Sequence, residues 1–153
     1  MGEFDAYTVE DLNEIVDPDR PHELTAQAED WGRLASLLGE YATAMHTRLG
    51  QARSSWGGAA AEAFFGGLGR HAGHLSAAGE TADGNAGAVA AMSSIAADAQ
   101  SQVSRIHSQW RDHQATATSP ADADARRRPF DLAAREVMER MAADADAQRA
   151  ALR

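Results

Sequence analysis

Ser54-Ser55-Trp56-Gly57-Gly58, followed at once by Ala59-Ala60-Ala61-Glu62-Ala63-Phe64, separates two long stretches that both read as helix. Two adjacent glycines supply the backbone freedom that a tight reversal needs. Before them, Leu24, Ala28, Trp31, Ala35, Leu38, Ala42, Met45, Leu49 and Ala52 recur at alternating steps of four and three. That is a heptad seam, and it predicts a helix over about 22–53, roughly 48 Å long. After them, Phe64, Leu68, His71, Leu75, Ala78, Ala82, Ala86, Val89, Met92, Ala96, Ala99, Val103, Ile106 and Trp110 follow the same stepping. They predict one helix over about 59–113, roughly 80 Å long. Gly79, Gly84 and Gly87 fall inside it and each costs about 1 kcal/mol against Ala. The phase of the apolar stripe survives across them, so a continuous helix is expected, with 79–87 as the place for any break.

The ends are read from caps and prolines. Residues 1–20 form an acidic segment in which Thr8 and Asp11 resemble a capping arrangement for a short helix over about 9–15. Asp17-Pro18-Asp19-Arg20-Pro21 ends that helix and prepares the next. A helical hairpin then occupies 21–114, with its turn at 54–58. Residues 115–128 carry no apolar period and read as a loop. Pro129 opens a last helix over 129–153, with Phe130, Ala134, Val137, Met141 and Leu152 on one side. Its length suits packing back on the far end of the hairpin, along Val103, Ile106 and Trp110. The expected fold is all-α: an elongated antiparallel helical hairpin with a short N-terminal helix and a C-terminal helix.

Composition agrees with that architecture. The 153-residue chain is 44% hydrophobic but only 6% aromatic, and alanine dominates. Alanine is the strongest helix former, and small side chains let helices approach closely. There is no cysteine, hence neither a disulfide framework nor a thiolate metal site. The formal charge of −9 disfavours nucleic acid and anionic membranes as general partners. No apolar run is long enough for a transmembrane helix, and no signal peptide is visible at the acidic N-terminus. No phosphate loop, nucleophile elbow or pair of acids in a cleft suggests catalysis, so a non-enzymatic protein without cofactor is expected.

A heptad helix, then Ser55-Trp56-Gly57-Gly58, then a helix opening Ala59 to Phe64 resembles the WXG100 and PPE-type (EspB-like) helical-hairpin proteins of type VII (ESX) secretion. The resemblance covers about residues 20–113. It implies a leaderless substrate or its helical targeting module, made in the cytoplasm and then secreted or held at the cell surface. Implied partners are another hairpin protein, in a homo- or heterodimer or larger oligomer, the secretion ATPase, and a cytosolic chaperone at the opposite tip near Trp110 and His113. Trp56, Gly57 and Gly58 match one half of the family's export signal. The other half is a Tyr-x-x-x-Asp/Glu element after a hairpin. Tyr7 and Asp11 have that spacing but lie before the hairpin, and the C-terminal helix has no Tyr. An intracellular adaptor or chaperone for a larger effector or toxin therefore stays open beside export.

Several further features have a bland reading beside a sharp one. Trp31, Leu34, Leu37, Leu38 and Tyr41 make a stripe wider than one neighbouring helix covers. It serves either the short N-terminal helix or a partner hairpin. His71 and His74 lie one turn apart with no third ligand, so a metal site is not expected. Arg126-Arg127-Arg128 reads as a solvated loop beside Asp122 and Asp124.

Overall fold

A hydroxyl and a carboxylate start the first helix. Thr8 is extended (φ −86°, ψ 168°), and its hydroxyl accepts a hydrogen bond from the Asp11 N–H at 3.2 Å. The Asp11 carboxylate in turn accepts from the Thr8 N–H at 2.8 Å, closing a capping box. Helix α1 (Val9–Ile15) follows, and Val9 and Leu12 are fully buried on one side of it. A computed structural model describes residues 2–16 and 18–153; Met1 and Asp17 lie outside the described residues, and with them part of the expected stop at 17–21. The described chain is all-helical: α1, α2 (Arg20–Arg53), α3 (Ala59–Ala115) and α4 (Pro120–Arg149).

Helix α3 runs unbroken for 57 residues through Gly79, Gly84 and Gly87. Gly79 has a packing reason. A Cβ there would meet the Ala35 carbonyl oxygen at 3.4 Å and the Leu38 Cβ at 3.5 Å, ordinary van der Waals contact, so the two helices lie close enough for a methyl to touch α2.

The expected loop over 115–128 is corrected, because the chain is helical from Pro120 onward and only residues 116–119 connect α3 to α4. Ser119 is the N-cap (φ −159°, ψ 163°). Its hydroxyl accepts from the Asp122 N–H at 3.1 Å, with Pro120 next in the first turn. Asp122 and Arg126 pair at 2.9 Å across one helical turn. Arg127 reaches Asp124 at 3.3 Å and Asp131 at 3.7 Å. Such i,i+3 and i,i+4 pairs suit a solvated helix, which needs no apolar period. Pro129 therefore lies inside α4.

Two compact units divide the chain, Met1–Thr25 with Val89–Ala150 and Ala26–Ala88 with Ala151–Arg153. In the first unit, Val9 and Leu12 of α1, Ala99, Val103 and Trp110 of α3, and Ala134, Val137 and Met138 of α4 form one core. Backbone clamps hold α1 to α4. Asp131 accepts from the Val9 N–H at 2.8 Å, and the Arg135 Nε donates to the Tyr7 carbonyl at 2.7 Å. In the second unit, Leu49 of α2 packs on Ala61 and Phe65 of α3, with Met45, Ala52 and Leu68 around them.

Every seam residue read on α2, from Leu24 to Ala52, is buried or half-buried. The seam on the first half of α3 is corrected. Leu68, Leu75 and Ala82 face inward, but the positions between them are Ala61, Phe65, Ala72 and Gly79, while Phe64, His71 and Ala78 are exposed. Both sets obey the four-and-three stepping. Close approach selects the set with the smaller side chains, Ala72 and Gly79, over His71 and Ala78.

Candidate functional site

The link between α2 and α3 is built from side-chain caps on the last carbonyls of α2. The Ser54 Oγ donates to the Gln51 carbonyl at 2.6 Å, and the Ser55 Oγ to the Ala52 carbonyl at 3.3 Å. The Trp56 N–H also reaches the Ala52 carbonyl, at 3.0 Å. Gly58 takes φ +102°, which side-chain-bearing residues rarely adopt, and its carbonyl accepts from the Glu62 N–H at 3.0 Å at the start of α3. Gly57 has no such requirement, and a Cβ on it would meet nothing within 4 Å. The backbone thus demands glycine two residues after Trp56 and not one.

Trp56 is 46% exposed. Its ring lies 5.3 Å from that of Phe64 and 5.5 Å from that of Phe65, the latter near edge-to-face. The Arg53 guanidinium stands 5.4 Å above the Phe65 ring. Phe64, half exposed and outside the seam, therefore braces the indole.

Tyr7 and Asp11 belong to the other unit. The Asp11 carboxylate also accepts from the Thr8 hydroxyl at 2.8 Å. The Thr8 backbone N–H and then its hydroxyl hold this carboxyl below the ordinary aspartate range. Tyr7 is 38% exposed and lies beside Phe4.

The stripe on α2 divides. Leu34, Leu37 and Tyr41 are exposed, whereas Leu38 faces Gly79 in the seam and Trp31 is half-buried. The short helix α1 is seated in the first unit's core, with Val9 and Leu12 fully buried there.

Beside the stripe, α2 and α3 enclose a groove of about 560 Å³ lined by Tyr41, Met45, Leu49, Phe65 and Leu68, with Arg48 on it. The heptad reading did not foresee this hollow. Its signal is the pair of small residues Ala44 and Ala52 flanking Arg48 on α2, which leave the groove floor open.

Trp110, in the region where a chaperone is expected to bind, is buried. It is 2% exposed, its indole N–H donates to the Glu10 carboxylate, and Phe130 lies between it and His113, with ring centroids 5.9 and 5.1 Å away. His71 and His74 are exposed, and among the described residues no cluster of three or more His, Cys, Asp or Glu could hold a metal ion. No described helix is long and apolar enough to cross a membrane. In comparisons with known proteins, no family model matches the chain and no curated protein is detectably similar to it.

Proposed function

We propose that this chain is a non-enzymatic substrate of type VII (ESX) secretion, or the helical targeting module of one, of WXG100 or PPE-like type. In this reading α2 and α3 form an antiparallel helical hairpin with the Trp-x-Gly turn at its tip. The hairpin is recognised folded by the secretion ATPase and leaves the cytoplasm for the medium or the cell surface.

One observation carries the reading. In the only residues that separate α2 from α3, Trp56 stands half exposed on a Phe64–Phe65 platform, and Gly58 alone needs glycine. A structural capping Trp gains most when covered, whereas a recognition Trp must stay reachable. Leu34, Leu37 and Tyr41, exposed along α2, supply the face for a partner hairpin, homologous or identical.

A second reading is an intracellular helical adaptor or chaperone for a larger effector. It is favoured by Asp11, whose carboxylate is engaged in the α1 cap and so is not free to act as the second half of an export signal. A secretion assay in the native host separates the two. Wild type is expected in the medium and Trp56→Ala in the cell lysate, with the variant still folded although it loses two ring contacts of about 1 kcal/mol each. Secretion of both proteins removes the turn as a signal. Retention of both favours the adaptor.

A further inference from the structure

The groove between α2 and α3 sits in a stretch whose charge contradicts that of the protein. Between Glu40 and Glu80 the sequence has one acid, Glu62, against Arg48, Arg53 and Arg70, in a chain of formal charge −9. Arg48 lies on the groove and, among the described residues, makes no ion pair. Its neighbours one turn away on α2 are Ala44, Met45, Gln51 and Ala52, none of them acidic. The Tyr41 hydroxyl, on a side chain 63% exposed, is the other polar group of the lining that can meet a ligand at the rim. The remaining walls are aliphatic or aromatic. Phe65 and Leu75 mark a length of about 15 Å along α3.

We propose that this groove binds a single-chain amphiphile with an anionic head: the alkyl chain lies between α2 and α3, and the Arg48 guanidinium holds the carboxylate or phosphate. Ligand sites typically enclose about 300–1,000 Å³ of mainly apolar wall with a few placed polar groups, and a groove of about 560 Å³ with one unpaired arginine has that make-up. An unpaired guanidinium offers a forked donor set that matches a carboxylate or a phosphate. A cationic or neutral head leaves Arg48 without a counter-charge. The site goes beyond export and does not depend on it, since binding is measured on the purified chain.

The test is calorimetric titration of the full chain with laurate and with dodecyltrimethylammonium, each below its micelle concentration, and with phosphatidylglycerol vesicles. Laurate is expected to bind one to one and about tenfold or more tighter than the cationic amphiphile, because the bond to Arg48 is charge-assisted. Each methylene removed from the fatty acid should weaken binding about fourfold. Arg48→Gln should abolish the preference between head groups. Ala44→Trp, at an exposed position, should fill the groove and abolish binding with helix content and melting unchanged. Equal affinity for the two heads, no chain-length dependence, or undiminished binding by Ala44→Trp overturns the proposal. Binding to vesicles but not to monomeric laurate assigns the charge to a bilayer surface and overturns it too. A dimer that Ala44→Trp dissociates gives the groove to a second copy and does the same.

Discussion

The two units bury apolar surface to different extents. The first gathers large side chains inside, with Trp110, Leu12, Val9 and Val103 almost wholly removed from water and three helices contributing to one core. The second buries two large side chains, Leu49 and Phe65, and otherwise joins segments of α2 and α3 through small residues such as Ala42, Ala72 and Gly79, leaving Leu34, Leu37, Tyr41, Trp56 and Phe64 outside. A seam of small residues gains helix proximity but little buried area. At about 25 cal/mol per Å² the large side chains decide stability, and in the second unit much of their surface remains uncovered. Among the described residues, the larger core lies in the first unit, and more of the exposed large apolar side chains lie in the second.

The largest expected effect therefore lies in the first unit. Trp110→Ala should cost about 3–5 kcal/mol by urea unfolding, the range for emptying an aromatic site. It also strips the hydrogen-bond donor from Glu10, whose other oxygen already has no hydrogen-bond partner among the described residues. A loss below about 1 kcal/mol would mean that α1 does not seal this core. In the second unit the sensitive place is the close approach. Gly79→Leu should cost about 1–3 kcal/mol, since a methyl there already touches α2 and the atoms beyond it overfill the contact. Wild-type stability in that variant would place the seam elsewhere.

A smaller effect belongs to the cap of α1. Thr8→Ala removes the hydroxyl that accepts from the Asp11 N–H and should cost about 1 kcal/mol. The same cap carries a pH dependence of defined sign. Asp11 and Asp122 are both held below their unfolded values, each chiefly by a backbone N–H, from Thr8 and Thr118 respectively. Their contribution is present above the unfolded aspartate value of about 4 and is lost as pH falls through the lower folded values. Thr8→Ala should narrow its gap to wild type across that acid window. An unchanged gap from neutral to acid pH would mean that the hydroxyl gives the carboxylate no support, because the Thr8 N–H bond to Asp11 is kept in both proteins.

How far the sequence could be read follows from these contrasts. The all-helical class and the α2 seam were legible because apolar residues from Leu24 to Ala52 recur without a gap at steps of four and three, and all of them are buried or half-buried. The Thr8–Asp11 cap was legible because a hydroxyl and an acid three residues apart have few other local uses. The α3 seam was half legible: Phe64 and Phe65 are equal in any hydrophobic count, and the phase is decided further along, where Ala72 and Gly79 rather than His71 and Ala78 face α2, which buries Phe65 and leaves Phe64 outward beside Trp56. The start of α4 was missed because Ala, Asp and Arg in 120–128 make a solvated helix held by local ion pairs, with no apolar stripe to find. In the candidate site, the link between α2 and α3 was visible as two glycines after Trp56. Which of them the backbone requires, and the groove around Arg48, depend on how two helices meet.

The smallest expected effect on folding is also the most direct probe of the second unit. Leu37 is 50% exposed on α2, between Leu34 and Tyr41. Replacing it with Ser removes little buried surface, so monomer stability should stay within about 0.5 kcal/mol of wild type. If Leu34, Leu37 and Tyr41 are a partner face, the same substitution should weaken self-association or capture of a partner hairpin by about tenfold, because it removes an apolar anchor from the middle of the contact. Sedimentation equilibrium and unfolding on the same samples read the two effects separately. A large loss of stability would show that Leu37 is covered within the chain. Unchanged stability together with unchanged association would leave the exposed stripe without a binding role.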